Sequence, residues 1–114
     1  VNRPTRKTRP VHRPGKMNAT EAKYAALLDQ LIVAGEIVRY EFERIKFVLA
    51  DRTTYTPDFY VVCRDHIELH EVKGFLRDDA NVKFKACADR FPEFIWKMIR
   101  WKNKTIGWEV MREA

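Results

Sequence analysis

Asp58, Glu71 and Lys73 are the residues of this chain best suited to chemistry. Asp58 lies in the string Thr56-Pro57-Asp58-Phe59-Tyr60, and the other two lie in Glu71-Val72-Lys73-Gly74. A pair of carboxylates holds a hard divalent cation through oxygen. Such a cation polarises a phosphoryl oxygen and lowers the pKa of a bound water. An ammonium beside them orients that water or offsets developing negative charge. Two acids and one lysine are therefore the minimum set for a metal-dependent phosphodiesterase.

Strand periodicity explains how these residues meet. Side chains at i and i+2 share a face, so Glu71 and Lys73 project together if 67–73 is a strand. Asp58 opens the preceding apolar run Phe59-Tyr60-Val61-Val62-Cys63, and Arg64-Asp65-His66 can form the turn between the two runs. Folding that hairpin brings the start of one strand beside the end of the other. The Val72 carbonyl, between Glu71 and Lys73, offers a further oxygen ligand. Each residue also has a plainer reading. Asp58 after a proline is a common turn residue, and Glu71 and Lys73 suit the wet face of an edge strand. Yet Ile67, Leu69, Glu71 and Lys73 lie on one side, so an apolar face turns charged at its end. That pattern fits the rim of a cleft, and Gly74 permits close approach of a ligand or another backbone.

The elements around this hairpin are legible from spacing and caps. Asn18 and Glu21 match a capping box, and Tyr24, Leu27, Leu28, Leu31 and Ile32 follow at helical spacing. Gly35 ends that helix, giving a span of about 19–34. Residues 36–42 and 44–50 read as strands, with Asp51-Arg52-Thr53-Thr54 as a turn. Asp78-Asp79 starts a second helix, favoured by its dipole. That helix has an apolar stripe of Phe84, Cys87, Ala88 and Phe91 and is stopped by Pro92. Residues 94–101 and 106–111 read as strands around a Lys102-Asn103-Lys104 turn. The expected class is α/β (α+β), with a central mixed sheet flanked by two helices in the order α-β-β-β-β-α-β-β. Short connections predict antiparallel pairing.

At 114 residues the chain makes one domain with a modest core. Its net charge of +6 resides in the first seventeen residues, where Arg3, Arg6, Lys7, Arg9, Arg13 and Lys16 occur without an acid. The remaining sixteen basic residues are matched by sixteen acids. With Pro4, Pro10 and Pro14, residues 1–17 read as a solvated basic arm ahead of a domain at 18–114. Such an arm suits nucleic-acid phosphates. Neither an apolar run of membrane-spanning length nor a signal-peptide pattern occurs, so a cytoplasmic protein is expected.

Cys63, His66 and His70 superficially suggest zinc, but a fourth ligand is missing and Cys63 and His70 straddle a turn. Both cysteines read as small buried hydrophobes, and the two histidines as turn and sheet-surface residues. Trp96, Trp101 and Trp108 alternate with basic residues, as in stacking platforms, though aromatics at strand spacing favour a core reading.

Pro57-Asp58 followed by Glu71-Val72-Lys73, in this strand context, resembles the signature of the PD-(D/E)XK nuclease superfamily over residues 18–101. Within it the chain looks closest to small phage-encoded endonucleases of the endonuclease I, Holliday junction resolvase type. The resemblance implies a restriction-endonuclease-like core and hydrolysis of DNA phosphodiesters. Asp58, Glu71 and the Val72 carbonyl would bind magnesium or manganese, with Lys73 acting on the attacking water. Glu21, matching an acid on the first helix of those enzymes, would complete the carboxylate set for a second ion. That role competes with its cap, because one carboxylate does not reach both the cap and a distant cation. Arg77 and Lys83 would join the arm in gripping DNA, and a homodimer would cut two strands. The contrasting expectation is a non-catalytic nucleic-acid-binding protein that uses the basic arm alone.

Overall fold

The computed structural model describes residues 15–73 and 78–113, with backbone alone for 78–80. Arg3, Arg6, Lys7, Arg9, Arg13, Gly74 and Arg77 lie outside the described residues, as do the side chains of Asp78 and Asp79. The chain is α+β. Its elements are α1 (Ala19–Val33), β1 (Arg39–Phe42), β2 (Phe47–Ala50), β3 (Thr53–Tyr55), β4 (Phe59–Val62), β5 (Ile67–Val72), α2 (Asp78–Arg90), β6 (Ile95–Asn103) and β7 (Gly107–Glu113). A mixed five-stranded sheet runs β1-β4-β5-β6-β7, and β2-β3 forms a separate two-stranded ribbon.

Three differences from the sequence expectation have local causes. There are five strands before α2 rather than four, because Thr53 and Thr54 are strand residues and not turn. Ala50 pairs with Thr53, so Asp51 and Arg52 alone make the loop, with Arg52 in the left-handed region at φ 59°. The β-branched threonines then suit the ribbon. Asn103 likewise ends β6, and its Oδ1 accepts from the N–H groups of Thr105 and Ile106 to build the turn that follows. The first strand begins at Arg39 rather than 36. The α1 terminus takes up the residues before it: Gly35 sits at φ 77°, and Glu36 N–H donates back to the Leu31 carbonyl. Pairing is antiparallel throughout, except for β5 with β6. A parallel pair requires a crossover connection, which α2 provides.

The sheet is buried on both faces. On one side α1 sets Tyr24, Ala25 and Leu28 against Phe59, Val61, Val72 and Ile99. On the other, α2 and the β2-β3 ribbon place Phe84, Cys87, Phe47 and Tyr55 against Leu69, Trp96 and Met98. Trp96 is fully buried there, consistent with its core reading. Trp101 and Trp108 pack edge to face at 5.4 Å, and the Lys23 ammonium lies 3.3 Å from the centre of a Trp101 ring. Among the described residues no helix is long and apolar enough to cross a membrane.

Candidate active site

The β4–β5 hairpin brings Asp58 and Glu71 together. The register pairs Phe59 with His70, so the next positions outward are Asp58 and Glu71. Asp58 turns one oxygen onto the chain of its partner strand, where Oδ2 accepts from Val72 N–H at 2.8 Å. The Tyr55 hydroxyl, arriving from the ribbon, donates to Glu71 Oε1 at 2.5 Å. Lys73 follows at the end of β5. Its N–H donates to the Ile99 carbonyl at 2.7 Å, and its side chain is partly buried.

Glu21 enters from the first turn of α1. It belongs to the stripe Glu21, Tyr24, Ala25 and Leu28, the i, i+3, i+4, i+7 pattern that faces the core. The capping box is present in full: Glu21 N–H donates to Asn18 Oδ1 at 2.8 Å, and Asn18 N–H donates to Glu21 Oε1 at 2.9 Å. The same carboxyl lies close enough to Asp58 to raise its pKa. Cap and cluster are therefore compatible, because the acidic cluster lies at the helix terminus and not away from it. The box fixes the direction in which the acid points.

Burial dominates the electrostatics, and crowding of like charge adds to it. Asp58 is 8% exposed and Glu21 7%. Burial first, then the charges of Glu71 and Glu21, push the Asp58 carboxyl well above its usual range. Burial pushes Glu71 up to about 7, and the charges of Glu21 and Glu43 add to this; the Tyr55 hydroxyl and the Asp58 backbone N–H pull the other way. Burial and the neighbouring Glu71 hold the Tyr55 hydroxyl protonated, so it remains a donor. Acids this close and this dry retain protons unless a cation neutralises them.

Two members of this constellation are not signalled by the sequence spacing. Tyr55 sits three positions before Asp58, in a segment whose strand character was masked by turn-forming neighbours. Glu43 follows β1 in the left-handed region at φ 51°, and its N–H donates to the Asp58 carbonyl at 2.8 Å. Glu43 Oε1 accepts from Gly15 N–H at 2.8 Å, tying the start of the domain to the rim of the cluster. Of the residues expected to meet DNA, Lys16 is exposed and Lys83 is partly buried on α2.

His70 is not a sheet-surface residue. It is 6% exposed and lies beside Phe59 under α1, because the register puts it on the helix-covered face. Its Nδ1 lies 2.7 Å from the Tyr24 hydroxyl and its Nε2 2.8 Å from Glu68 Oε1. Cys63 is partly buried, whereas Cys87 is fully enclosed, as a small core hydrophobe is. No family model, curated protein or solved structure matches the chain.

Proposed function

We propose that the chain is a divalent-metal-dependent endodeoxyribonuclease of the PD-(D/E)XK kind. It would hydrolyse DNA phosphodiester bonds, with branched DNA such as Holliday junctions preferred. We propose further that it is phage-encoded and works as a homodimer in the cytoplasm of a bacterial host. The observation that carries this is the convergence of Glu21 from α1, Asp58 just ahead of β4 and Glu71 in β5 on one buried place, with Lys73 two residues beyond Glu71 in the chain.

The residues present fit magnesium or manganese. Their donors are all oxygen, as hard cations require, and burial together with neighbouring carboxylates raises the pKa values of Asp58 and Glu71, a cost that a bound cation would offset. Asp58, Glu71 and the Val72 carbonyl would hold the ion, with Glu21 available to a second. When bound, such an ion supplies Lewis-acid polarisation of the phosphoryl oxygen and a more acidic water. The chain's own groups do the positioning. Tyr55 fixes one oxygen of Glu71, and Val72 N–H fixes one oxygen of Asp58. The Lys73 ammonium orients the attacking water and offsets charge that builds on the phosphate. Arg3, Arg6, Lys7, Arg9, Arg13, Lys16, Arg77 and Lys83 grip phosphates without reading sequence, which suits a small domain that recognises DNA by shape.

Purified protein is expected to cut branched or duplex DNA with magnesium or manganese and to stop in EDTA. Asp58→Asn and Lys73→Ala should each lower cleavage by roughly a hundredfold or more, with DNA affinity retained. A wild-type protein that binds DNA yet never cuts it, whichever divalent metal is supplied, would instead be a nucleic-acid-binding module.

A further inference from the structure

The turn of the β4–β5 hairpin carries a second constellation, at the opposite end from Asp58 and Glu71. Cys63 N–H donates to the His66 carbonyl at 2.9 Å, closing the turn. The Cys63 sulfur, an imidazole nitrogen of His66 and a carboxylate oxygen of Glu68 lie within 4.8 Å of one another. An open groove of about 590 Å³ gives access to them, with Tyr24, His70 and Lys97 also on its walls. We propose that Cys63, His66 and Glu68 form a binding site for a zinc-class divalent cation, separate from the acidic cluster.

The donor set decides the ion class. Thiolate, imidazole and carboxylate together select zinc or cobalt rather than magnesium. The spacing is right within side-chain adjustment. Tetrahedral bonds of about 2.0–2.3 Å place donors roughly 3.3–3.7 Å apart, so closure needs shifts of up to about an ångström.

The surrounding bonds already orient the ligands. His66 Nδ1 sits 2.6 Å from Asp65 Oδ1, which leaves Nε2 as the ligand atom, 2.7 Å from Glu68 Oε2. A carboxylate behind a ligating imidazole is the usual support in zinc sites. Glu68 is held in the same manner. Its Oε1 takes His70 Nε2 at 2.8 Å and Lys97 Nζ at 3.1 Å, so Oε2 is presented to the ion. His70 is backed in turn by the buried Tyr24 hydroxyl. His70, which fits the zinc spacing in sequence, thus serves behind the site, and Glu68 replaces it as ligand. On binding, Cys63 releases its thiol proton and His66 the Nε2 proton it shares with Glu68 Oε2, both to solvent, as the metal–sulfur and metal–nitrogen bonds form, and the fourth position is left to water or an exogenous donor.

Cobalt titration tests this. The full chain is freed of metal with a chelator, kept reduced with a phosphine and titrated with Co2+. The expected result is a thiolate-to-cobalt charge-transfer band and tetrahedral d–d absorption, saturating at one equivalent and bleached by Zn2+. Cys63→Ser should abolish the charge-transfer band, and His66→Ala should weaken cobalt binding at least tenfold, with far-UV circular dichroism unchanged. Asp58→Asn should keep the band, which separates this site from the acidic cluster. Zinc should raise the Tm of Asp58→Asn, whose acidic cluster is disabled, but not of the double variant Asp58→Asn with Cys63→Ser. Absence of a thiolate band at saturating cobalt overturns the proposal. So does a band that survives Cys63→Ser, because the sulfur would then be that of Cys87.

Discussion

Glu71 and Asp58 make the acidic cluster sensitive to pH, and the sign follows from proton counts. Glu71 titrates near 7 in the folded chain, well above a free glutamate, and Asp58 is raised in the same sense. Between the unfolded and folded pKa values the native state holds protons that the unfolded state has lost. Stability is therefore complete below the unfolded value and declines as pH rises through the folded one. In EDTA, the Tm should fall between about pH 5 and pH 8. His66, raised by Glu68 and then Asp65, adds a slope of the same sign. The informative quantity is thus the difference between wild type and Glu71→Gln. The variant should melt higher at the alkaline end and show a flatter profile, and saturating manganese should restore much of the wild-type loss. Identical profiles for the two proteins would mean that folding does not raise the Glu71 pKa.

At the scale of elements, the capping box of α1 does more than end a helix. It holds Glu21 by both backbone and side chain at the place where the carboxyl meets Asp58. Asn18→Ala should cost about 1 kcal/mol of stability. Cleavage, measured well below the Tm, should fall by more than the small unfolded fraction explains, and Asn18→Asp should restore both. If activity survives Asn18→Ala undiminished, the cap serves only the helix. The β4–β5 hairpin is the second organising element. Its antiparallel register unites Asp58 with Glu71 at one end and Cys63 with His66 at the other.

For the molecule as a whole, the excess positive charge falls in residues 1–17 of the sequence, and the remainder is electrically balanced. Deleting residues 1–14 removes five of the six arm charges and spares Gly15, whose N–H is bonded to Glu43. DNA affinity should fall, and the slope of log K against log salt should flatten by roughly 0.9 for each lost phosphate contact. Unchanged affinity at low salt would remove the arm from the interface. The body's core is also organised at this scale, with one apolar layer under α1 and another under α2 and the ribbon.

The sequence alone determined what local chemistry governs. The Asn18 cap, the helical stripe from Tyr24 to Leu28 and the glycine stop at Gly35 depend on neighbours a few residues away, and the structure has each of them. The pairing of Asp58 with Glu71 belongs here too, because a short hairpin leaves little choice of register. Tertiary structure decided the rest. The core packing of α1 brings Glu21 to Asp58, the separate ribbon delivers Tyr55 to Glu71, and the left-handed bend after β1 adds Glu43. It also buried His70 and made Glu68 the companion of Cys63 and His66. Propensity and periodicity act within one element, whereas these meetings depend on which apolar faces are buried against each other, and that is settled only when the whole chain packs.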